Sequence, residues 1–396
     1  MELQKARKAI SAAFRVWQSP PNLKVSEWAD TYRYLSPEDS NEPGKWRTDR
    51  AEYQRGIMDA FSDPEVETVV VMTSAQVGKT QILLNVFGYA VHLDPCPMLI
   101  VQPTDQFAQI FSKDRLSPMV RDTAVLRERI SEMKSRDTDN TILHKNFPGG
   151  QLGITGANSP VGLSGLPKRM VLLDEVDRMP PSAGTEGDPV RLGVARAKNF
   201  WNRKIGMFST PGTKGDSRIE AAFEESDQRH FHVPCPHCGE FQVLRWKQVK
   251  FDKENPASAY YECGHCRGKW TDADRNRAVK QGHWVAEKPF NGVAGFHLNA
   301  LYSPWAKMSD IVREFLEAKK DNEQLKVWVN TTLGETWEEE GETVDETALM
   351  KRVEKYPAEV PAGGLVLTAG VDVQEDRLEC EVVAWGKYYE SWSVEY

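Results

Sequence analysis

A β-branched run that breaks into a loop of small residues constrains the fold of this chain more than any other feature. Residues 66–80 read VETVVVMTSAQVGKT, which predicts a buried strand, then a loop, then a helix from about Gln81. A loop ending in Gly-Lys-Thr is typical of nucleoside triphosphate sites, because its backbone N–H groups, lysine and threonine hold the phosphates and Mg²⁺. The candidate phosphate-binding residues are Ser74, Ala75, Gln76, Val77, Gly78, Lys79 and Thr80.

The loop departs from the usual pattern at its first position, where Thr73 replaces a glycine. An ordinary strand–turn–helix with a surface lysine is therefore an alternative, but a second motif favours the nucleotide site. Residues 170–177, MVLLDEVD, predict a buried parallel strand that delivers two carboxylates at its carboxyl end, where open α/β sheets bind ligands. We expect Asp174 to hold Mg²⁺ through its water shell and Glu175 to orient and deprotonate the attacking water.

Strands alternate with helices over residues 65–230, which predicts an α/β fold of the ASCE P-loop type, with a mostly parallel sheet flanked by helices. Ser209 and Thr210 end a strand and are expected beside the γ-phosphate, which their hydroxyls could sense. Pro211 and Gly212 would equally make a simple strand-terminating turn.

An adenine site is predicted just before the first strand of this fold. The ring of Tyr53 can stack on a base and the amide of Gln54 can read its edge, with Arg55 beside them. An amphipathic helix that covers the sheet explains the same pattern equally well.

Composition is that of a soluble globular protein, with 396 residues, 40% hydrophobic and 27% charged. The chain has no apolar run of about 18 residues and no signal-peptide core, so we expect a cytoplasmic protein without a membrane span. The net charge of −8 does not indicate nucleic-acid binding. It does not exclude it either, since DNA tracking needs only a local basic surface.

Four of the six cysteines form two C-x-x-C pairs, Cys235 with Cys238 and Cys263 with Cys266. In an intracellular protein this spacing indicates metal rather than disulfides. Four thiolates complete a closed tetrahedral shell, so we predict a structural zinc ribbon. Unliganded buried cysteines are the alternative.

The chain divides by pattern into five segments. They are a Trp- and Pro-rich leader (1–50), the ATPase core (51–230), the zinc ribbon (231–285), a helical linker (286–360), and three strands that open another domain as a β-meander (361–396). Asp372 lies in the middle of an apolar strand of that meander, which is costly unless it is paired or binds metal. Two-metal nucleases place a carboxylate at such a position, although a salt-bridged surface aspartate fits equally.

These pieces, in this order, resemble the large terminase subunit of tailed bacteriophages, in the branch that includes the lambda packaging protein. The resemblance rests on LSPEDSNEPGKWRTDRAEYQRGIMDAF, SAQVGKT, DEVDRM, the strand-end STP, the cysteine ribbon and LTAGVDVQEDRLE. It implies an ATP-driven motor that pumps double-stranded DNA into a procapsid, and a metal-dependent nuclease of the RNase H type. It also implies a portal, a small terminase subunit and a homo-oligomeric ring as partners, in the host cytoplasm.

Carried over to this chain, the resemblance makes Lys79 the phosphate ligand and Asp372 the first nuclease carboxylate. It implies that the remaining nuclease carboxylates lie beyond Tyr396, so that this chain would not cut DNA. Many terminases also have an arginine in the loop where this chain has Ala75. We therefore expect an activating arginine from elsewhere, acting in the same chain or on a neighbouring subunit, with three candidates: Arg191, Arg196 and Arg203.

Two other functions remain open at the level of sequence. A helicase would share the loop and the Asp-Glu pair, and predicts a second parallel sheet after residue 230. The cysteine ribbon and the meander found there instead disfavour it. A zinc-ribbon scaffold with a degenerate loop would bind nucleotide without hydrolysing it.

Overall fold

The computed structural model describes residues 21–38, 40–130, 140–338, 350, 352–373 and 378–395. The chain divides into two compact units, Met1–Glu339 and Glu340–Tyr396. The predicted boundaries at residues 50, 230 and 285 therefore all fall inside the first unit. The predicted boundary at residue 360 falls inside the second.

The strands of the first unit have the following bounds in chain order. They are Tyr34–Leu35 (β1), Gly44–Lys45 (β2), Thr68–Thr73 (β3), Pro97–Gln102 (β4), His144–Phe147 (β5), Gly150–Gly156 (β6), Met170–Asp174 (β7), Lys204–Ser209 (β8), Arg229–Pro234 (β9), Phe241–Val243 (β10), Val249–Lys250 (β11), Tyr260–Glu262 (β12), Lys269–Trp270 (β13), His283–Ala286 (β14) and Val293–Leu298 (β15).

The α-helices surround these strands. They are Val25–Tyr32 (α1), Tyr53–Ala60 (α2), Lys79–Leu93 (α3), Asp105–Ile110 (α4), Ser117–Asp122 (α5), Ala124–Arg127 (α6), Pro160–Leu163 (α7), Pro189–Ala195 (α8), Arg218–Glu224 (α9), Asp272–Val279 (α10), Met308–Ala318 (α11) and Asn322–Trp328 (α12). Two π-helical turns continue α4 and α12, at Phe111–Leu116 and Val329–Leu333. Short 3₁₀ turns include Thr48–Arg50, Val176–Arg178 and Ala300–Tyr302.

A large, mostly parallel sheet forms the centre of this unit and confirms the predicted α/β class. Its strand order is β10-β9-β15-β3-β8-β7-β4-β6-β5, with β14 also paired to β9. The run from β15 to β6 is parallel throughout. Strand β8 lies between β3 and β7, so the loop after β3, the end of β8 and the carboxylates after β7 meet at one edge of the sheet.

The central strands are buried on both faces, which explains their continuous apolar sequences. In β3 the residues alternate between two cores, as the two-residue period of a strand requires. Val69 and Val71 pack into the core that contains Trp28 and Phe87. Val70 and Met72 pack into the opposite core, which includes side chains from α8 and α9.

The segment predicted as a helical linker, residues 286–360, begins instead with a strand of the main sheet. Strand β15 pairs with β3 in parallel over six residue pairs, from Val293 opposite Thr68 to Leu298 opposite Thr73. Residues 231–338 thus extend the existing sheet and add small antiparallel strands. They do not form the second parallel sheet that a helicase predicts.

The second unit contains the predicted β-meander. Strands Val366–Val373 (β16), Leu378–Trp385 (β17) and Ser391–Glu395 (β18) form an antiparallel sheet in the order β16-β17-β18. No helix in the described part of the chain combines the length and the apolar character that crossing a bilayer requires.

Candidate nucleotide-binding site

The loop between β3 and α3 turns sharply where its glycine stands. Gly78 has a φ of 96°, and a Cβ there would lie 2.3 Å from Nε2 of Gln54, so a side chain would be both strained and crowded. Thr73 is different, because its φ is not positive and its hydroxyl donates to the carbonyl of Ser74 at 3.2 Å. The position that usually holds glycine therefore accepts threonine without backbone strain.

Two side chains of α2 hold the loop from one side. Tyr53 Oη and Gln54 Nε2 both donate to the carbonyl of Val77, at 3.2 Å and 2.9 Å. Tyr53 is fully buried, and its ring packs edge-on against Phe231. The stacking role expected of Tyr53 is therefore wrong for this conformation, since the ring presents no open face to a base. Tyr53 instead helps to hold the loop in place through its hydrogen bond to the carbonyl of Val77.

Backbone contacts hold the loop from the other side. The N–H of Ser74 donates to the carbonyl of Leu298 at 2.8 Å, and the N–H of Ala75 donates to the carbonyl of Thr331 at 2.7 Å. Gly334, at a φ of 65°, lies so close that a Cβ there would be 2.6 Å from the Ser74 nitrogen. Residues well beyond the predicted end of the ATPase core at residue 230 thus hold the loop in place.

Lys79 opens α3 with its ammonium buried below the loop. Its Nζ donates to the carbonyl of Ser74 at 3.2 Å and lies 3.7 Å from Oε1 of Glu175. Burial lowers the pKa of Lys79, and the charges of Glu175 and Asp174 oppose that change. The positive charge is thus held at the point where the phosphates of a nucleotide would lie.

The two carboxylates lie at the end of β7 as predicted. Asp174 is buried and accepts a hydrogen bond from Nε2 of Gln102 at 3.0 Å. Burial, reinforced by the adjacent charge of Glu175, raises the pKa of Asp174 to about 6. Glu175 follows with a φ of 52°, which turns its side chain out of the strand direction toward Lys79.

The end of β8 meets these carboxylates. Thr210 Oγ1 donates to Oε2 of Glu175 at 3.4 Å. Ser209 Oγ donates to the carbonyl of Thr210 at 2.8 Å and accepts from the N–H of Asp177 at 3.2 Å. The Ser-Thr pair therefore contacts the acidic turn directly, and its phosphate-sensing role stays a prediction.

A cavity of ≈ 640 Å³ adjoins the phosphate loop, with Gln54, Gln76 and Gly78 in its wall. The leader and a distant segment close it, because Trp305 Nε1 donates to Oε1 of Glu42 at 3.1 Å. No sequence pattern indicated Trp305, since only the fold brings residues 303–306 against the leader. The cavity has room for the base and ribose of a nucleotide whose phosphates lie in the loop.

The three arginines nominated from sequence lie at different places. Arg203 precedes β8 at its amino end and pairs with Glu67 at 2.5 Å, about 20 Å along the strand from Ser209. Arg196 donates to the carbonyls of Ser164 and Gly165, ahead of the amino end of β7. Neither reaches the loop of its own chain, whereas Arg191 is 92% exposed on α8.

One arginine that the sequence analysis missed does lie in the site. Arg178 follows the acidic strand, and its Nε is 3.7 Å from Oε2 of Glu175. Arg178 lies in a charged segment, DEVDR, and no sequence pattern distinguished it there as a functional residue.

The four cysteines converge at two hairpin turns. Cys235 and Cys238 lie between β9 and β10, and Cys263 and Cys266 lie between β12 and β13. The four Sγ atoms lie within 4.8 Å of one another, with 3.8 Å from Cys235 to Cys266 and 4.0 Å from Cys238 to Cys263. This cluster could hold a metal ion.

Asp372 does not occupy the costly environment that the sequence indicated. Every residue of β16 is exposed, and Asp372 faces Glu379 across the strand pair. The burial argument for a metal-binding role is therefore wrong for the described residues. A role in a nuclease stays a prediction that rests on the resemblance.

Comparisons with known proteins agree with this geometry. Residues 40–284 match the family model of the phage terminase large subunit gpA ATPase domain, and residues 293–396 match that of the gpA endonuclease domain. This chain belongs to the phage terminase large subunit gpA family. The terminase large subunit of Enterobacteria phage P21 is 34% identical over 98% of the chain, and that of Escherichia phage lambda is 32% identical over all of it. The chain spans 65% of the length of each of these relatives.

Solved terminase structures are similar only at a distance. The large terminase ATPase domain of Thermus phage P74-26 is 15% identical, with a TM-score of 0.41, over 73% of this chain and 97% of that one. The large terminase of another thermophilic bacteriophage is 12% identical, with a TM-score of 0.41, over 88% of this chain and 66% of that one. These scores are too low to add to the assignment.

The boundary between the two family matches, at residues 284–293, differs from the boundary between the two compact units, at Glu339. The endonuclease match begins at residue 293, where β15 enters the main sheet beside β3. The first compact unit ends only at Glu339. Residues from both family matches therefore hold the loop of the candidate nucleotide site in place.

Proposed function

We propose that this terminase chain binds ATP with Mg²⁺ and hydrolyses it at the loop between β3 and α3. The observation that carries the proposal is the meeting of Lys79, Asp174, Glu175 and Thr210 at one sheet edge, beside a cavity of nucleotide size. The hydroxyl of Ser74 adds support, because it is buried in the loop without a hydrogen-bond partner among the described residues. A bound ligand with polar atoms would satisfy it.

The residues present fit a Mg²⁺ ion. Thr80 lies in the first turn of α3. Burial disfavours the negative charge of Asp174, and a divalent cation at the same edge of the sheet would stabilise that charge. We infer that Thr80 and Asp174 hold this ion, the latter through water. When bound, the ion would neutralise charge on the β- and γ-phosphates.

The protein groups then take separate roles in hydrolysis. Glu175 accepts a proton from the attacking water, whose oxygen bonds to the γ-phosphorus in line with the leaving group. The bond from the γ-phosphorus to its bridging oxygen breaks, and ADP leaves with that oxygen. Lys79 holds the charge on the β- and γ-phosphates, and Ser209 and Thr210 sense the loss of the γ-phosphate.

Phosphate release and nucleotide binding, measured in parallel on Lys79→Ala and Glu175→Gln, test this function. We expect Lys79→Ala to bind ATP poorly. Glu175→Gln should bind ATP normally and lose turnover by roughly 10²–10⁴-fold, as the loss of a general base does. Wild-type turnover in either variant would contradict the site. Binding by the wild type without hydrolysis would instead support a scaffold with a degenerate loop.

For the whole protein, we propose a motor that packages viral double-stranded DNA into a procapsid, with a metal-dependent endonuclease. Family membership and the two terminase relatives support this proposal. The partners would be the small terminase subunit, the portal and further copies in a ring, in the host cytoplasm. Duplex DNA should stimulate ATP turnover of the full protein, and Asp372→Ala should abolish its DNA cleavage while leaving that turnover unchanged.

We also propose that the cysteine cluster binds one structural zinc ion as a zinc ribbon. Four sulfurs at about 2.3 Å from a tetrahedral ion lie about 3.8 Å apart. Two of the observed separations are 3.8 Å and 4.0 Å, and all of them are within 4.8 Å. Because all four corners are thiolates, the site has no open position for substrate. Metal analysis of the purified protein should find one zinc per chain.

A further inference from the structure

The proposed ATPase site contains more negative than positive charge once its substrate is bound. ATP with Mg²⁺ carries about two net negative charges, and Asp174 and Glu175 add to them. The buried cation at the loop is Lys79. P-loop ATPases usually supply a second cation, but the loop of residues 74–80, SAQVGKT, contains no charged residue other than Lys79.

The turn that follows β7 is built rigidly enough to position such a cation. The carboxylate of Asp177 accepts from the Gly212 N–H at 2.9 Å, the Ser217 hydroxyl at 2.6 Å and the Ile219 N–H at 2.9 Å. Arg218 donates to the carbonyls of Val176 and Met179 from the other side, at 3.1 Å and 2.9 Å. These contacts fix the backbone from which the Arg178 side chain extends.

The Arg178 side chain itself is held loosely. It is 62% exposed, and its ion-pair partner among the described residues is Glu175, at 3.7 Å. Exposed ion pairs of this kind contribute little to stability, so the guanidinium can exchange this carboxylate for a phosphate at little cost. Lys79 approaches the same carboxylate from its other oxygen, at 3.7 Å. The two cations therefore lie on either side of Glu175, and the charge of Arg178 helps to lower the pKa of Lys79, after the larger effect of burial.

Arg203 is held at the amino end of β8 and Arg196 is held by residues that precede β7, so Arg178 is better placed than either to reach the phosphates. We propose that Arg178 is the activating arginine of this ATPase, acting in cis: its guanidinium leaves Glu175 and binds the γ-phosphate oxygens as the bond to the bridging oxygen breaks. This inference rests on the proposed ATPase function. It assigns to the acidic turn the charge that the loop lacks at Ala75.

The test compares Arg178→Ala with Arg313→Ala, a matched control. Arg313 is 67% exposed and pairs with Asp310 three residues earlier at 3.0 Å, but it lies on α11. Arg178→Ala should lower kcat by about 10²-fold or more, while the Kd for ADP changes less than about threefold. Its affinity for ADP with aluminium fluoride, which imitates the transferring phosphoryl group, should fall at least as much as kcat. Arg178→Lys should recover part of the kcat and part of the affinity for ADP with aluminium fluoride. Lysine restores the positive charge but not the paired hydrogen bonds that a planar guanidinium can donate.

Mixing experiments separate action in cis from action in a neighbouring subunit. If Arg178 acts in its own chain, doping Glu175→Gln protein with Arg178→Ala protein restores no turnover above that of either variant. Recovery of turnover in the mixture would show action in trans and overturn the proposal. Equal kcat in Arg178→Ala and wild type would overturn it too, as would a fall in kcat with unchanged affinity for ADP with aluminium fluoride. Absence of turnover in the wild type would instead contradict the ATPase function itself.

Discussion

Substitution of Asp174 by asparagine should stabilise the nucleotide-free protein while it abolishes ATP hydrolysis. The carboxyl is buried, and its pKa rises from 3.8 to about 6. A carboxyl that holds its proton more tightly in the folded than in the unfolded protein favours unfolding once it ionises. The loss of folding stability caused by Asp174 therefore grows as the pH rises from 3.8 to about 6, and it is complete above about pH 6. The rise corresponds to about 3 kcal/mol at 1.36 kcal/mol per pH unit.

The pKa of about 6 already includes the attraction to Lys79 and the hydrogen bond from Gln102, and asparagine can keep that hydrogen bond. We therefore expect a net gain of about 1–3 kcal/mol at pH 8. Urea unfolding of both proteins without nucleotide measures it. The difference at pH 5 should be about half of that at pH 8. Glu175→Gln is the control, because it removes the same charge but leaves the buried Lys79 without its ion pair, and it should not stabilise. An Asp174→Asn protein less stable than wild type at pH 8 would refute the reasoning.

Three further substitutions test other parts of the structure. Gly334→Ala should destabilise the protein by about 1–3 kcal/mol and weaken ATP binding, because the new Cβ would clash with the Ser74 nitrogen. The control is Gly215→Ala, which also has a positive φ, 88°, but has no atom near its Cβ position, and it should leave ATP binding unchanged. Cys238→Ser should reduce bound zinc from one per chain to nearly none and lower the Tm, with no such effect from substitution of the exposed Cys380. Arg203→Ala should keep kcat within about twofold of wild type, since its partner Glu67 lies at the opposite edge of the sheet; a large loss of turnover would contradict that placement.

The parts of the site that the sequence predicted are those written in short, continuous motifs. The strand ending in the GKT loop, the strand ending in Asp174-Glu175 and the Cys-x-x-Cys turns each contain the local pattern that forms them. The parallel order of the sheet followed from the alternation of strands and helices, and the structure confirms it.

The parts that sequence reasoning missed depend on contacts between distant segments. The sequence of β15 has no motif that marks it, and only its pairing with β3 makes it part of the main sheet. Tyr53 was assigned to adenine because of its position in the chain, whereas packing against Phe231 buries it. Arg178 was overlooked because the role of a charged residue in a turn depends on which side chains the fold brings near it. Here these are Glu175 and Lys79.

The most direct test of the central claim is phosphate release from saturating ATP and Mg²⁺ by Glu175→Gln, with ATP binding measured on the same sample. If Glu175 deprotonates the attacking water, the variant binds ATP as the wild type does and releases phosphate at least about 10²-fold more slowly. Turnover equal to that of the wild type, with binding intact, would show that the reaction takes place without the site described.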